Sequence, residues 1–96
     1  MTKIEFHTEA QSELEDAHAW YRERSEFAAR AFAAEIDYAI RSISMSPGAW
    51  PQTASNEHRF FFRRFPYSII YRVRQDEIFI TAIAHQKRRP GYWLKR

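Results

Sequence analysis

The chain has 96 residues, 45% hydrophobic and 17% aromatic, which suits a single domain over 1–96 with its own core and excludes a disordered chain. Its formal charge of +3 hides a division: residues 1–48 hold five Lys/Arg against nine Asp/Glu, a balance of −4, and residues 49–96 hold ten against three, a balance of +7. Cysteine is absent, so disulfides and thiolate metal sites are excluded; no apolar run nears the ~18 residues of a membrane span and no signal-peptide core opens the chain, so a cytoplasmic protein with no membrane partner is expected.

Lys3-Ile4-Glu5-Phe6-His7 alternates polar and apolar and predicts a short strand with Ile4 and Phe6 facing inward. Thr8-Glu9-Ala10-Gln11 has the pattern of a capping box. Ala10, Leu14, Ala17 and Tyr21 then follow at helical spacing, predicting a helix near 9–23. Ser25 is the expected cap of a second helix near 26–45, with Ala28, Phe32, Ile36, Ala39, Ile40 and Ile43 on one face. Ser46-Pro47-Gly48 ends it. The two helices are joined so tightly that they should form an antiparallel hairpin.

Residues 46–57 read as a loop without Lys or Arg, and three strands are predicted after it: His58–Arg63, Tyr67–Arg74 and Ile78–His85, the last two joined by a turn at Gln75-Asp76. Parity puts Tyr67, Ile69, Tyr71, Val73, Ile78, Ile80, Ala82 and Ala84 on one apolar face, which should meet the hairpin. The other face receives Arg72 and Arg74 with Ile70, Phe79, Ile83 and His85, and Arg59 and Arg63 share a parity on the preceding strand. The fold expected from this order is α+β, a two-helix hairpin packed on one face of a mainly antiparallel sheet.

The charge division marks a surface for an anionic partner, because clustered like charges concentrate the opposite sign. Arg59, Arg63, Arg72 and Arg74, interleaved with Ile70 and Phe79, suit either phosphate and base contacts or a solvated face where Arg stems cover apolar neighbours. Lys87, Arg88 and Arg89 add to the basic side and favour binding. His85 ends the last strand beside that cluster, a position either for a neutral general base or for a strand-end ring that packs or bonds to backbone. As solvent-side groups, Arg72 and His85 should be removable at little cost in stability. Tyr92 and Trp93 follow Pro90-Gly91 and either stack on a base or anchor the tail, and Phe60-Phe61-Phe62 must place rings on both faces of its strand. His7, His18 and His58 lack ligand spacing, so no metal is expected, and no nucleotide or hydrolase fingerprint occurs.

Three segments together carry a family resemblance: Phe6-His7-Thr8-Glu9-Ala10, Arg64-Phe65-Pro66-Tyr67-Ser68-Ile69-Ile70-Tyr71-Arg72-Val73, and Ile83-Ala84-His85-Gln86-Lys87-Arg88-Arg89-Pro90 with Tyr92 and Trp93 beyond. In this order the chain resembles the RelE/ParE superfamily of type II toxins. The resemblance implies a four-stranded sheet of order 1-4-3-2, no cofactor, and neutralisation by a cognate antitoxin in a toxin–antitoxin hetero-oligomer. It implies one of two activities. ParE-like members inhibit DNA gyrase; RelE-like members cut mRNA on the ribosome, where Arg72, His85 and Tyr92 match catalytic positions. The lysine-free loop 46–57 and the long helices place the chain nearer the ParE branch. Target contacts would then fall to Arg59, Arg63, Arg72, Arg74, Lys87, Arg88, Arg89 and Trp93. A member that keeps only antitoxin binding is a third reading.

Overall fold

The computed structural model describes residues 3–53 and 55–96. Strand β1 (Lys3–Phe6) leads into helices α1 (Thr8–Arg24) and α2 (Glu26–Met45), a 3-10 turn (Pro47–Ala49), and strands β2 (His58–Phe61), β3 (Tyr67–Arg74) and β4 (Glu77–His85). The sheet order is β1-β4-β3-β2, with β1 parallel to β4 and the other pairs antiparallel. This is the α+β arrangement expected.

Ser25 makes the hairpin tight. Its N–H closes α1 on the carbonyl of Tyr21 at 2.8 Å, and its hydroxyl accepts the N–H of Ala28 at 3.1 Å to open α2. One residue therefore satisfies an orphan group at both helix ends. The expected cap at Thr8 is corrected: Thr8 is already helical, and the Nδ1 of His7 accepts the N–H of Glu9 at 3.0 Å. A neutral imidazole offers one ring nitrogen as an acceptor, so His7 does what an Asp would do there. Gln11 reaches forward to Glu15 and makes no capping box.

Ala10 and Ala17 of α1, with Phe32, Ala39 and Ile43 of α2, pack on Ile69, Tyr71, Ile78 and Ile80 of the sheet. Tyr71 also fastens the turn after α2: its hydroxyl donates to the carbonyl of Pro47 at 2.6 Å, and burial pushes the phenol up to about 12. It stays protonated at any ordinary pH.

A bulge overturns part of the predicted parity. Tyr71 faces Ile80 but Ile70 faces Ala82, leaving Thr81 as an extra residue of β4. One inserted residue moves every later side chain to the other face. Ile83 therefore enters the helix-side core, whereas Ala82 and Ala84 turn to the far face and pack with Ile70. Val73, expected inside, is exposed near the end of β3. Strand β2 stops at Phe61, so Arg63 lies in the connection to β3 and shares no strand face with Arg59.

Strand β1 pairs with β4 only as far as Ile80. Beyond that point the outer edge of β4 would show bare backbone groups. Two side chains supply partners: Glu13 Oε1 accepts the N–H of Ile83, and Arg96 Nη1 donates to the carbonyl of Thr81, both at 3.0 Å.

Candidate functional site

The sheet face away from the helices is partly covered by the chain's own end. Gly91, at φ +81, takes the left-handed turn that other residues adopt at a cost, and a Cβ there would meet Leu94 at 3.1 Å. The turn brings Trp93 down on Ile70, Ala82 and Ala84, where it is 5% exposed. A buried indole needs an acceptor for its N–H. Glu57, 1% exposed, supplies it: Trp93 Nε1 donates to Oε1 at 2.9 Å, and Arg72 Nη2 donates to Oε2 at 3.3 Å. Arg59 completes the group. Its Nε donates to Ser68 Oγ at 3.0 Å, and its guanidinium lies 5.1 Å from the Phe61 ring and 5.6 Å from the Trp93 ring.

This face therefore gathers Arg72 and Trp93 around one buried carboxylate, with Arg59 beside the indole. Arg74 lies exposed at the far end of β3, opposite Glu77 in register. Beside it a shallow depression of about 310 Å³ lies between Arg72, Arg74, Phe79 and Glu5. Phe61 is 61% exposed, whereas Phe60 and Phe62 are buried in the helix-side core.

The other sequence candidates lie elsewhere. Arg63 sits over the ring of Tyr38 on α2, 5.2 Å from its centroid, because Glu35 of α2 accepts the backbone N–H groups of Arg63 and Arg64 and fixes that turn. His85, expected beside the arginines, is turned by the bulge to the helix side. It meets the edge of Tyr67 at 4.9 Å, and its Nδ1 accepts the N–H of Lys87 at 3.0 Å. Its cross-strand partner Tyr67 is five residues from Arg72 along β3, a separation of roughly 16 Å at strand rise. Lys87, Arg88 and Arg89 are exposed in the turns after β4. Arg88 stacks on Tyr92 at 3.9 Å and stands 4.0 Å from Glu13.

Tyr92 is held in a second network. Its hydroxyl donates to Glu13 Oε2 at 2.7 Å, and the same carboxylate receives Arg96 Nη1 at 3.0 Å and Nη2 at 2.9 Å. Burial, reinforced by the Glu13 bond and charge, pushes the Tyr92 phenol well above its usual range. Burial pushes Glu13 up, but the bonds from Arg96, Tyr92 and Ile83 outweigh it and hold the carboxyl below the usual range. Sequence reasoning missed Glu13, Glu35 and Glu57, the three carboxylates that fix the tail and the β2–β3 turn. A signal existed for Glu57. It is the one acid between residues 38 and 75, and a Trp buried near the terminus must find an acceptor.

Among the described residues no helix is long and apolar enough to cross a membrane. No curated protein matches the sequence. A solved chain from the chromosomal ParDE TA system from P. aeruginosa superposes with a TM-score of 0.73 at 20% identity, covering 88% of this chain and 96% of that one, a likeness that establishes a shared fold. The family described as the ParE toxin of the type II toxin–antitoxin system, parDE, matches residues 4–90. That span takes in both helices and all but the first residue of the four strands, and the chain belongs to the ParE toxin family of type II toxin–antitoxin systems.

Proposed function

We propose that this toxin acts by binding, as an inhibitor of DNA gyrase through the Arg59–Arg72–Arg74 side of its sheet, and that a cognate antitoxin neutralises it. The observation that carries the reading is the dispersal of the three residues that would cut RNA. Metal-free cleavage needs a base at the 2′-hydroxyl, a cation at the phosphate and an acid at the leaving oxygen, all within hydrogen-bond reach of one phosphodiester. Arg72 lies on the open face and is paired with Glu57, and His85 lies on the helix side five rungs along the sheet. The Tyr92 hydroxyl donates to Glu13, and burial together with that bond holds its phenol above the usual range. A binding inhibitor needs no such convergence. It needs a rigid surface of cations and accessible rings, and Arg59, Arg72 and Arg74 with the exposed Phe61 and the half-buried Phe79 furnish one.

The antitoxin reading rests on family membership and on the ParDE assembly of the solved relative. The positive balance of the second half favours a partner segment rich in acids, so association should slow with added salt. Purified toxin should inhibit gyrase supercoiling or trap cleaved DNA while mRNA on programmed ribosomes stays intact. Codon-specific mRNA cleavage with gyrase unaffected would overturn the reading.

A further inference from the structure

A groove of about 450 Å³ runs between α1 and the end of the β3–β4 pair, on the side opposite the arginine face. Five residues of α1 line it, Glu13, Asp16, Ala17, Trp20 and Tyr21, at spacings that place them on one helix face. Tyr67 and His85 form the opposing wall. Ala17, small and buried, lies among the lining residues.

The walls are aromatic and the charge is negative. Trp20 is 50% exposed and stands edge-on to Tyr21 at 5.1 Å. Besides the phenols of Tyr21 and Tyr67, the ionisable groups facing the groove are Glu13, Asp16, His85 and Arg88. Glu13 is saturated by Arg96, Tyr92 and Ile83, and Arg88 stands against Glu13 and the Tyr92 ring. Asp16 makes no ion pair or hydrogen bond among the described residues, so its charge is uncompensated at the rim. Trp20 already shows what it accepts: the guanidinium of Arg24 lies 3.7 Å over its ring.

We propose that this groove seats an arginine side chain of a partner polypeptide, its stem along Ala17 and Tyr21 and its guanidinium between the aromatic wall and Asp16. A planar guanidinium stacks on rings and pairs with a carboxylate at once, which a compact ammonium does less well. The site goes beyond the gyrase reading and does not depend on it. It also changes the expected partner, which must present at least one cation to the acidic helix side of the toxin.

The test uses the full-length toxin, labelled with 15N, and three blocked dipeptides: acetyl-Leu-Arg-amide, acetyl-Leu-Lys-amide and acetyl-Leu-citrulline-amide. Citrulline keeps the planar shape and removes the charge. The arginine peptide should bind at millimolar concentration, at least fivefold tighter than citrulline and with lysine between them. It should shift the Trp20 indole and the backbone around Ala17 and His85. Asp16→Asn, a change at an exposed site that leaves the core intact, should erase the preference for arginine over citrulline. Equal binding of arginine and citrulline, shifts confined to other surfaces, a preference that survives in Asp16→Asn, or no binding at millimolar peptide would each overturn the proposal.

Discussion

The two faces of the sheet are held down in different ways. The helix side is an apolar layer in which Phe32, Ile43, Ile69, Tyr71, Ile78 and Ile80 are fully buried. The far side has a small apolar patch, Ile70 with Ala82 and Ala84, covered by one indole that donates a hydrogen bond to the buried Glu57 carboxylate. The helix face derives its stability from area and shape, which no single polar contact controls. The far face relies on a few directional bonds, and a buried polar group that loses its partner is costly. The helix-side layer therefore sets global stability, whereas the tail and the arginines of the open face can be loosened without unfolding the protein.

The largest effect should come from breaking the helix side. Ile80→Asp places an unpaired charge at a fully buried position, and a loss above about 4 kcal/mol is expected, enough to unfold much of a marginally stable domain. Circular dichroism and thermal melting check it. A cooperative melt near that of the parent would mean that Ile80 does not face the helices.

Next is the strap. Trp93→Ala removes the cover from Ile70, Ala82 and Ala84 and leaves Glu57 without its indole donor. A loss of about 3 kcal/mol is expected, with rapid amide exchange confined to the tail and the end of β4. Uniformly faster exchange across the helices would mean that the strap belongs to the same cooperative layer as the hairpin.

Arg72→Ala should cost about 1–2 kcal/mol, because it strips one partner from the buried Glu57 carboxylate. This corrects the sequence expectation that a solvent-side arginine is free to change. His85→Ala loses a ring edge on Tyr67 and one local acceptor, and should cost less.

The smallest effect is a pH dependence of the tail. Glu13 is held below its unfolded value, so its contribution is complete above the ordinary carboxylate range, around 4.3, and is lost as pH falls through the lowered folded value. Acid should release Tyr92 and Arg96 before the helix layer melts. NMR of the Tyr92 ring against pH reads this directly, and Glu13→Gln should move the same signals already at neutral pH.

Much of this fold was legible because its signals are local. Ser25, the Gln75-Asp76 turn and the long apolar stripes of α2 each fix an element boundary with few residues. The face assignment failed past Ile80 because Thr81-Ala82-Ile83-Ala84 is compatible with either face, and a bulge has no pattern that distinguishes them. The arrangement of the candidate site was less legible for a related reason. Arg59, Arg72 and Trp93 stand out by charge and ring content, but the placing of Arg72 and Trp93 depends on Glu57, whose burial is a tertiary fact. His85 was misplaced by the same bulge.

The comparison of faces is tested most directly by gyrase inhibition with matched variants. Arg59→Ala combined with Arg74→Ala removes two cations of the open face at partly or fully exposed positions, and His85→Ala removes the histidine of the helix side. The concentration of toxin that halves supercoiling should rise at least tenfold, equivalent to about 1.4 kcal/mol of binding, in the arginine variant. It should change less than threefold in His85→Ala. Loss of inhibition in His85→Ala, with the doubly substituted arginine variant as potent as the parent, would contradict the assignment of the target surface to the open face.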